Sequence, residues 1–449
     1  MTSIAQVVPN EILLEIFVHF DEVHASLQIN ANRPGLFPWY LGHICSQWRT
    51  TVLSIVPHKL YVSSVFKLQR NAEKLRHVTN IVTFFLELNR GRQFDLHLVC
   101  AFCRDYGRRD KAVPRVLDLL VAESARWRHV TLDYICNCLA RYRVKDHLSS
   151  LQSLRLQGRY VQCIQGSNHG EIFGHIFTNA PSLTHVEVIN HAYRDFEIDW
   201  SNVTYLYLGG FTNPPLSFPQ AINLNTLVVE SMRTGHFQSL YDKITLPCLE
   251  SWNLASNCWL RYIRAPALQN LSLYRIPVTK IEINDVTSFL RESGCKLARL
   301  ALAYIEEPSS SLVDILRHAP ELVHLTRVGD VDDDIAASIE LLSVPIPSDV
   351  VGSELPAPRL QSLRVGLCRD PCTDRIIDGL SNLLLLRNRQ VATNGSTPVE
   401  RLQSLILEMD INQDERLRRH CEALGVDLDL MVPPSYKSSC IFSPERPQS

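Results

Sequence analysis

The chain has 449 residues, of which 45% are hydrophobic and 20% charged, and its formal net charge at pH 7 is −2. This length exceeds one ordinary compact core, so we expect two or three domains or one repeat array. The near-zero net charge excludes strong long-range attraction to nucleic acid or to an anionic membrane. The sequence has no signal peptide and no apolar run long enough to cross a bilayer. We therefore expect an intracellular protein, in the cytoplasm, the nucleus or both, with 13 cysteines that are mostly buried free thiols.

The N-terminal residues contain two amphipathic stretches. The first begins at Pro9, which suits the start of a helix, and its apolar residues recur at helical spacing up to Phe20. The segment 21–38 is rich in asparagine, proline and glycine and predicts an irregular loop. A second helical stretch is predicted from Trp39 to Ile55 and ends before Pro57.

The residue order in these stretches resembles an F-box. The string Val-Pro-x-Glu-Ile-Leu-x-x-Ile-Phe starts at residue 8, and Ile-Cys-x-x-Trp-Arg starts at residue 44. In F-box proteins this three-helix unit docks onto the Skp-type adaptor of a cullin–RING ubiquitin ligase. The resemblance implies an adaptor-binding face of Val8, Pro9, Ile12, Leu13, Ile16 and Phe17, and a helix-packing core of Ile44, Cys45 and Trp48. The alternative is a small helical cap with a purely structural role.

A recurring L-x-x-L-x-L string, with aliphatic replacements, organises the rest of the chain. The last two apolar positions alternate as in a strand, and the first marks the turn before it. At Leu322 the third apolar position is taken by Arg327, and four copies are preceded by Ala-Pro, at Ala180, Ala265, Ala319 and Ala357. Copies begin at Trp127, Leu151, Leu183, Val203, Leu224, Leu249, Leu268, Leu297, Leu322, Leu360 and Leu402.

A unit of helix, proline stop and strand resembles a leucine-rich repeat, whose units must stack because none buries its own apolar face. The whole chain resembles the F-box/leucine-rich-repeat proteins of the fungal type. The expected fold is α+β, with a three-helix F-box followed by an irregular α/β leucine-rich-repeat solenoid. We predict an F-box at 1–61, a helical linker region at 62–125, the solenoid at 126–432 and a disordered tail at 433–449. The alternative is an ordinary α/β domain with leucine-rich strands.

The strand positions between the buried leucines predict a target-binding surface, because side chains alternate between the two faces of a strand. In leucine-rich repeats the strands line the concave side, which is the usual binding surface. Tyrosine and arginine, which dominate interface hot spots, are frequent at these positions. The predicted target-binding residues are Arg155, Glu187, Tyr205, Tyr207, Glu230, Asn253, Tyr274, Arg299, Arg364 and Glu408.

Sequence motifs that would indicate catalysis, cofactor binding or metal binding are weak. Cys100 and Cys103, and Cys136 and Cys138, invite a zinc interpretation, but the second spacing is tight and the cysteines alternate with apolar residues as core thiols do. The nucleotide, hydrolase and metalloprotease motifs are missing from the sequence. We therefore predict no catalytic, cofactor-binding or metal-binding residues and no cofactor.

These patterns predict a non-catalytic substrate-recognition subunit of a cullin–RING ubiquitin ligase. Its partners are a Skp-type adaptor, through it the ligase, and a protein target that the sequence leaves unidentified, with neither nucleic acid nor membrane as a partner. The alternative is a leucine-rich-repeat protein-interaction scaffold without a ubiquitin-ligase role. A hydrolase or nucleic-acid binder on an α/β frame is the third class, and charge and motifs disfavour it.

Overall fold

The chain combines helices with parallel strands and divides into two compact units, Met1–Leu224 and Asn225–Ser449. Each unit is described by itself. The structure, a computed structural model, describes residues 8–13, 15, 26–30, 33–34, 45–54, 59–63, 72–99, 114–133, 148–157, 177–189, 198–210, 220–230, 243–255, 259–274, 283–303, 309–329, 332–343, 356–367, 374–392, 399–408 and 415–431.

The first unit is built on a sheet in the order β2-β1-β3-β4-β5-β6-β7-β8. Among the described strands of this unit, β1 and β2 pair in antiparallel fashion and the other pairings are parallel. Short 3-10 turns at Ser124–Arg126 and Trp200–Asn202 precede β5 and β8. Its elements are β1 (Ser26–Asn30), β2 (Arg33–Pro34), α1 (Ser46–Ser54), β3 (Lys59–Ser63), α2 (Ala72–Leu88), β4 (Phe94–Val99), α3 (Pro114–Ala122), β5 (Trp127–Asp133), β6 (Ser153–Gln157), β7 (His185–Ile189) and β8 (Tyr205–Gly209).

The second unit contains a fully parallel ladder in the order β9-β11-β13-β14-β15-β16-β17-β18, with β10 and β12 as a separate parallel pair. Each strand from β13 to β17 is followed by a helix, and consecutive helices pack against one another. Its elements are β9 (Thr226–Glu230), β10 (Ile244–Thr245), β11 (Ser251–Leu254), β12 (Ile263–Arg264), β13 (Asn270–Tyr274), α4 (Ile283–Ser293), β14 (Arg299–Ala303), α5 (Ser309–Arg317), β15 (His324–Gly329), α6 (Asp332–Leu342), β16 (Ser362–Leu367), α7 (Asp374–Ala392), β17 (Ser404–Glu408), α8 (Glu415–Leu424) and β18 (Asp427–Met431).

The Ala-Pro-x-Leu string forms the turn that enters a strand. In all four copies the leucine N–H donates to the alanine carbonyl, at 3.0 Å for Leu183 and Ala180 and at 3.2 Å for Leu322 and Ala319. The alanines and leucines of these turns are buried. The turn therefore pairs one of its own N–H groups with one of its own carbonyls, and it places the leucine side chain in the core.

The buried core includes the leucine positions that the repeat string marks. In β6, β7, β11 and β13, buried and partly exposed residues alternate strictly, so one side of these strands packs inward. The prediction that the strand leucines are buried is confirmed, since each exposes 2% or less of its surface: Leu154, Leu156, Leu206, Leu208, Leu271, Leu273, Leu300, Leu302 and Leu363.

Two segments differ from the sequence-based expectation. The segment 21–38, predicted as an irregular loop, contains β1 and β2, because β1 pairs in parallel with β3. The region 62–125, predicted as a helical linker, contains α2 and α3 but also β4, which lies between β3 and β5 in the sheet. β1 and β4 form hydrogen bonds with strands that are distant in the sequence, and local composition does not reveal such partners.

Candidate functional site

The candidate site is the strand face, which we define as the strand positions that alternate with the buried core residues. In the first unit, parallel register places Arg155, Glu187 and Tyr207 side by side on β6, β7 and β8. A second row contains His129, Ser153, His185 and Tyr205. The sequence-predicted residues of this unit therefore lie on neighbouring strands and share one face.

Charged side chains on this face pair with one another. A guanidinium nitrogen of Arg155 lies 3.0 Å from a Glu187 carboxylate oxygen, and the other carboxylate oxygen is 3.3 Å from a ring nitrogen of His185. Farther along the sheet, Arg128 contacts Asp95 at 3.0 Å. The charges of Arg155 and Glu187, which we predicted as target contacts, are largely compensated within the protein.

Aromatic rings complete the face of the first unit. His185 stacks on Tyr205 with ring centroids 4.0 Å apart and an interplanar angle of 2°. His97 meets Tyr61 edge-on and bonds to Asp133 at 2.9 Å. Such rigid rings offer large contact area at low entropic cost, which favours protein recognition.

Gly209 makes room for the ring of Tyr207. A Cβ atom at this glycine would lie 3.0 Å from Cε1 of Tyr207. The missing side chain therefore allows the tyrosine to lie along the strand face.

Histidines contribute more to the strand faces than the sequence analysis anticipated. Burial is the main cause of the lowered pKa of His129, opposed by Asp95 and reinforced by Arg128. Burial, with a smaller contribution from Arg299, likewise lowers the pKa of His324 on β15. Sequence reasoning missed His129, His185 and His324, although each occupies the position directly before a buried strand residue.

The strand face of the second unit carries the remaining predicted residues. Asn253, Tyr274 and Arg364 are half-buried, and Arg299 is exposed. Burial, and secondarily the carboxylate of Glu230, raises the pKa of Tyr274, so its hydroxyl stays protonated. Glu408 ends β17, but its side chain lies outside the described residues. Because Tyr274 belongs to a different unit from Tyr205 and Tyr207, a surface shared by all three tyrosines stays a prediction.

The predicted adaptor face is described only in part. Residues 10–13 and 15 are helical, and Ile12 exposes 51% of its surface, whereas Leu13 is fully buried. Leu13 therefore exposes no surface in the isolated chain, and its assignment to the docking face stays a prediction. Val8 is half-buried and Pro9 exposed, while Ile16 and Phe17 lie outside the described residues.

The predicted packing core of the N-terminal segment is also partly described. Cys45 and Trp48 are half-buried, and Ile44 lies outside the described residues. The Gln47 amide donates to the carbonyl of Val8 at 2.8 Å and to Asn10 Oδ1 at 2.9 Å. These bonds tie α1 to the first helical segment.

The candidate zinc cysteines, Cys100, Cys103, Cys136 and Cys138, lie outside the described residues. Within the described ranges, no group of three or more histidine, cysteine, aspartate or glutamate side chains is arranged to hold a metal ion. Burial raises the pKa of Cys295 and Cys421 to about 11, so both thiols stay protonated at neutral pH.

Comparison with protein-family models and with curated proteins adds no further evidence on the function of these residues. No protein-family model matches the chain, and no curated protein matches it significantly. Among the helices whose residues are described, none has the length and apolar character to span a bilayer.

Proposed function

We propose that the chain is a substrate-recognition subunit of a cullin–RING ubiquitin ligase. Residues 1–61 form an F-box that docks a Skp-type adaptor, and a leucine-rich-repeat solenoid captures the protein target. Ubiquitin transfer belongs to the partner subunits, and this chain contributes proximity and orientation.

The observation that carries the proposal is the combination of a parallel ladder with side chains of mixed chemistry along its strand face. Leucine-type residues fill one side of the strands, as at Leu271 and Leu300. The other side presents tyrosine, histidine, asparagine and paired charges, as at Tyr205 and Asn253. A surface of mixed sign and aromatic content suits a protein partner better than a polyanion.

The docking part of the proposal is supported by Ile12. A helical isoleucine that is half exposed gains free energy when a partner covers it, by about 25 cal/mol for each Å² of apolar area. The F-box resemblance assigns this position to the adaptor.

A pull-down with purified Skp-type adaptor tests the docking step. Ile12→Asp is expected to lose adaptor binding because a carboxylate cannot enter an apolar interface without its water. Ile222→Asp is the matched control, since Ile222 is also 51% exposed in the same unit but lies outside residues 1–61. If both variants keep adaptor binding, or if both lose it, the assignment of the docking face is contradicted. Phe17→Asp extends the test to a position outside the described residues.

The target step needs a separate experiment. In affinity purification with mass spectrometry, the Ile12→Asp chain is expected to lose the ligase subunits but keep the target. Tyr207→Ala is expected to lose the target but keep the ligase subunits, because tyrosines at interfaces carry a large share of binding energy. Co-loss of both partners in either preparation contradicts the division of labour.

A protein-interaction scaffold without a ligase role is the second candidate. Two observations favour it: Leu13 is buried, and β1 and β2 lie within residues 1–61 as part of the sheet. Under this hypothesis the N-terminal segment caps the ladder. Ile12→Asp then leaves every captured protein unchanged.

A further inference from the structure

We propose that the strand face of the first unit binds an uncharged, proline-rich segment of a protein partner in the extended polyproline II conformation. The aromatic rings on β3–β4 and on β7–β8 contact prolines near the two ends of this segment. The inference rests on the proposed function in one respect, since it takes the strand face as the target-binding surface. It adds the chemistry of the segment that this surface selects.

Charge compensation on this face favours a segment without net charge. Asp95 pairs in register with Lys59 and contacts Arg128 at 3.0 Å. Glu187 contacts Arg155, also at 3.0 Å. The described strand-face positions of β3 to β8 carry three basic and three acidic side chains, namely Lys59, Arg128, Arg155, Asp95, Asp133 and Glu187. These charges balance, so complementarity of charge selects neither an acidic nor a basic partner here.

Aromatic side chains at two places on the face provide contact area for prolines. On β3–β4, His97 meets Tyr61 edge-on with ring centroids 4.5 Å apart, and on β7–β8, His185 stacks on Tyr205 at 4.0 Å. All four residues are half-buried, and the side chains of His97 and His185 keep 37% and 29% of their surface exposed. Aromatic-lined surfaces bind proline-rich segments well, because polyproline II is already extended and loses little entropy on binding.

The separation of the two ring pairs matches the rise of polyproline II. Tyr61 pairs in register with His97, and His185 with Tyr205, in adjacent rows of the face. Four strand spacings and one step of two residues separate the centres of the two pairs by about 20 Å. Six residues of polyproline II span about 19 Å, since each residue rises about 3.1 Å. Prolines at positions i and i+6 of the segment therefore reach both ring pairs.

Short hydroxyl-bearing side chains lie in the middle of the face. The midpoint between the ring pairs falls at β5 and β6, where the register brings Ser153 beside His129 and where Thr131 follows two residues along β5. Because Ser153 and Thr131 are short, a proline at position i+3 has room beside the His129 side chain. Polyproline II has no internal hydrogen bonds, so its carbonyls accept hydrogen bonds from these hydroxyl groups.

Fluorescence anisotropy of the full-length chain at about pH 8, where histidine is neutral, tests the inference. The probe is a fluorescein-labelled peptide with proline at every third position and glutamine between, and the same peptide with alanine in place of proline is its reference. The proline peptide is expected to bind more tightly than the reference. His97→Leu and His185→Leu are each expected to weaken its binding about threefold and the double variant about tenfold, because each removes one aromatic contact.

His324→Leu is the matched control, because His324 is a half-buried histidine on the strand face of the second unit. Equal affinity for the alanine peptide, equal weakening by His324→Leu, or unchanged binding in His97→Leu or His185→Leu overturns the inference. A single-stranded DNA oligonucleotide, a glutamate peptide or a lysine peptide that binds more tightly than the proline peptide also overturns it.

Ser153→Leu provides a second test that keeps every ring of the face. Its larger side chain occupies the space of the middle proline, so the proline peptide is expected to bind more weakly. Ser272→Leu, at a half-buried strand-face position of the second unit, is expected to leave the affinity unchanged. Native affinity in Ser153→Leu, or equal weakening in Ser272→Leu, contradicts the inference.

The histidine variants separate this inference from the proposed function. Adaptor capture is expected to be unchanged in His97→Leu and His185→Leu, since both residues lie outside residues 1–61. A wild-type chain that binds the proline peptide but not the adaptor refutes the ligase proposal alone. A chain that captures the adaptor but binds the proline and alanine peptides equally refutes the proline-segment inference alone.

Discussion

His185 and Tyr205 stack face to face across β7 and β8, with ring centroids 4.0 Å apart. The same imidazole lies 3.3 Å from the carboxylate of Glu187, which pairs with Arg155 at 3.0 Å. One histidine thus joins an aromatic contact to an ion pair, and four side chains from three strands fix one another's positions. A preorganised face of this kind loses little conformational entropy when a partner binds.

Replacement of Tyr205 tests this network. Tyr205→Ala is expected to lower the free energy of unfolding of the first unit by about 1 kcal/mol beyond the loss of buried area, because the stacking is removed. Tyr205→Phe is the control, since it keeps the ring. Chemical denaturation measures both, and equal destabilisation by the two variants contradicts a role for the ring stack.

Truncation of a ladder leucine tests the core. Leu271 exposes 1% of its surface in β13, so Leu271→Ala is expected to cost about 2–5 kcal/mol in the free energy of unfolding of the second unit. Ser272→Ala, on the strand face beside it, is expected to stay within about 0.5 kcal/mol of the native value. Urea denaturation followed by circular dichroism compares the two, and the reverse ranking means that the register is wrong.

Arg387 is expected to be essential for the turn before β16. It exposes 1% of its surface and donates to the carbonyls of Leu360, Pro356 and Ala357 at 2.9–3.2 Å. Ala357 has a φ of 50°, a left-handed conformation that costs about 1 kcal/mol for a residue other than glycine. The guanidinium thus holds a strained turn while burial lowers its pKa to about 10.

Arg387→Met is expected to destabilise the second unit by about 3 kcal/mol or more, because the buried carbonyls lose their donor. Arg387→Lys is expected to recover only part of this, since an ammonium cannot reproduce the planar fork of donors. Thermal unfolding at neutral pH measures both losses. Near-native stability in Arg387→Met contradicts the role of the buried guanidinium.

The lowered pKa of His129 predicts a pH dependence of stability. In the unfolded chain this histidine has its ordinary pKa of 6.5, and in the folded chain a lower one. Below pH 6.5 the unfolded state therefore binds more protons, and the free energy of unfolding falls as the pH falls towards the folded pKa. His324 contributes in the same direction.

His129→Gln is expected to reduce the loss of stability between about pH 7.5 and pH 5.5, a window above the ordinary pKa of carboxylates. Urea midpoints at the two pH values measure the effect. His77→Gln is the control, because His77 is exposed on α2. An unchanged slope in His129→Gln, or the same reduction in His77→Gln, contradicts the assignment of the titrating group.

The sequence by itself determined the core of this protein. The L-x-x-L-x-L string marked the buried leucines, such as Leu206 and Leu273, because burial on one side of a strand requires an apolar residue at every second position. The Ala-Pro-x-Leu string likewise marked the turns, because proline fixes the backbone locally and the leucine N–H bonds within the same four residues. Both signals are short-range and therefore visible in the residue order.

Only the tertiary structure decided which strand-face residues meet. The ion pair of Arg155 with Glu187 and the stacking of His185 on Tyr205 depend on the parallel register between strands, which no local pattern encodes. The burial of Leu13 beside an exposed Ile12 and the pairing of β1 with β3 depend likewise on partners distant in the chain. Side-chain periodicity specifies the face on which a residue lies, but cross-strand hydrogen bonding selects its neighbours.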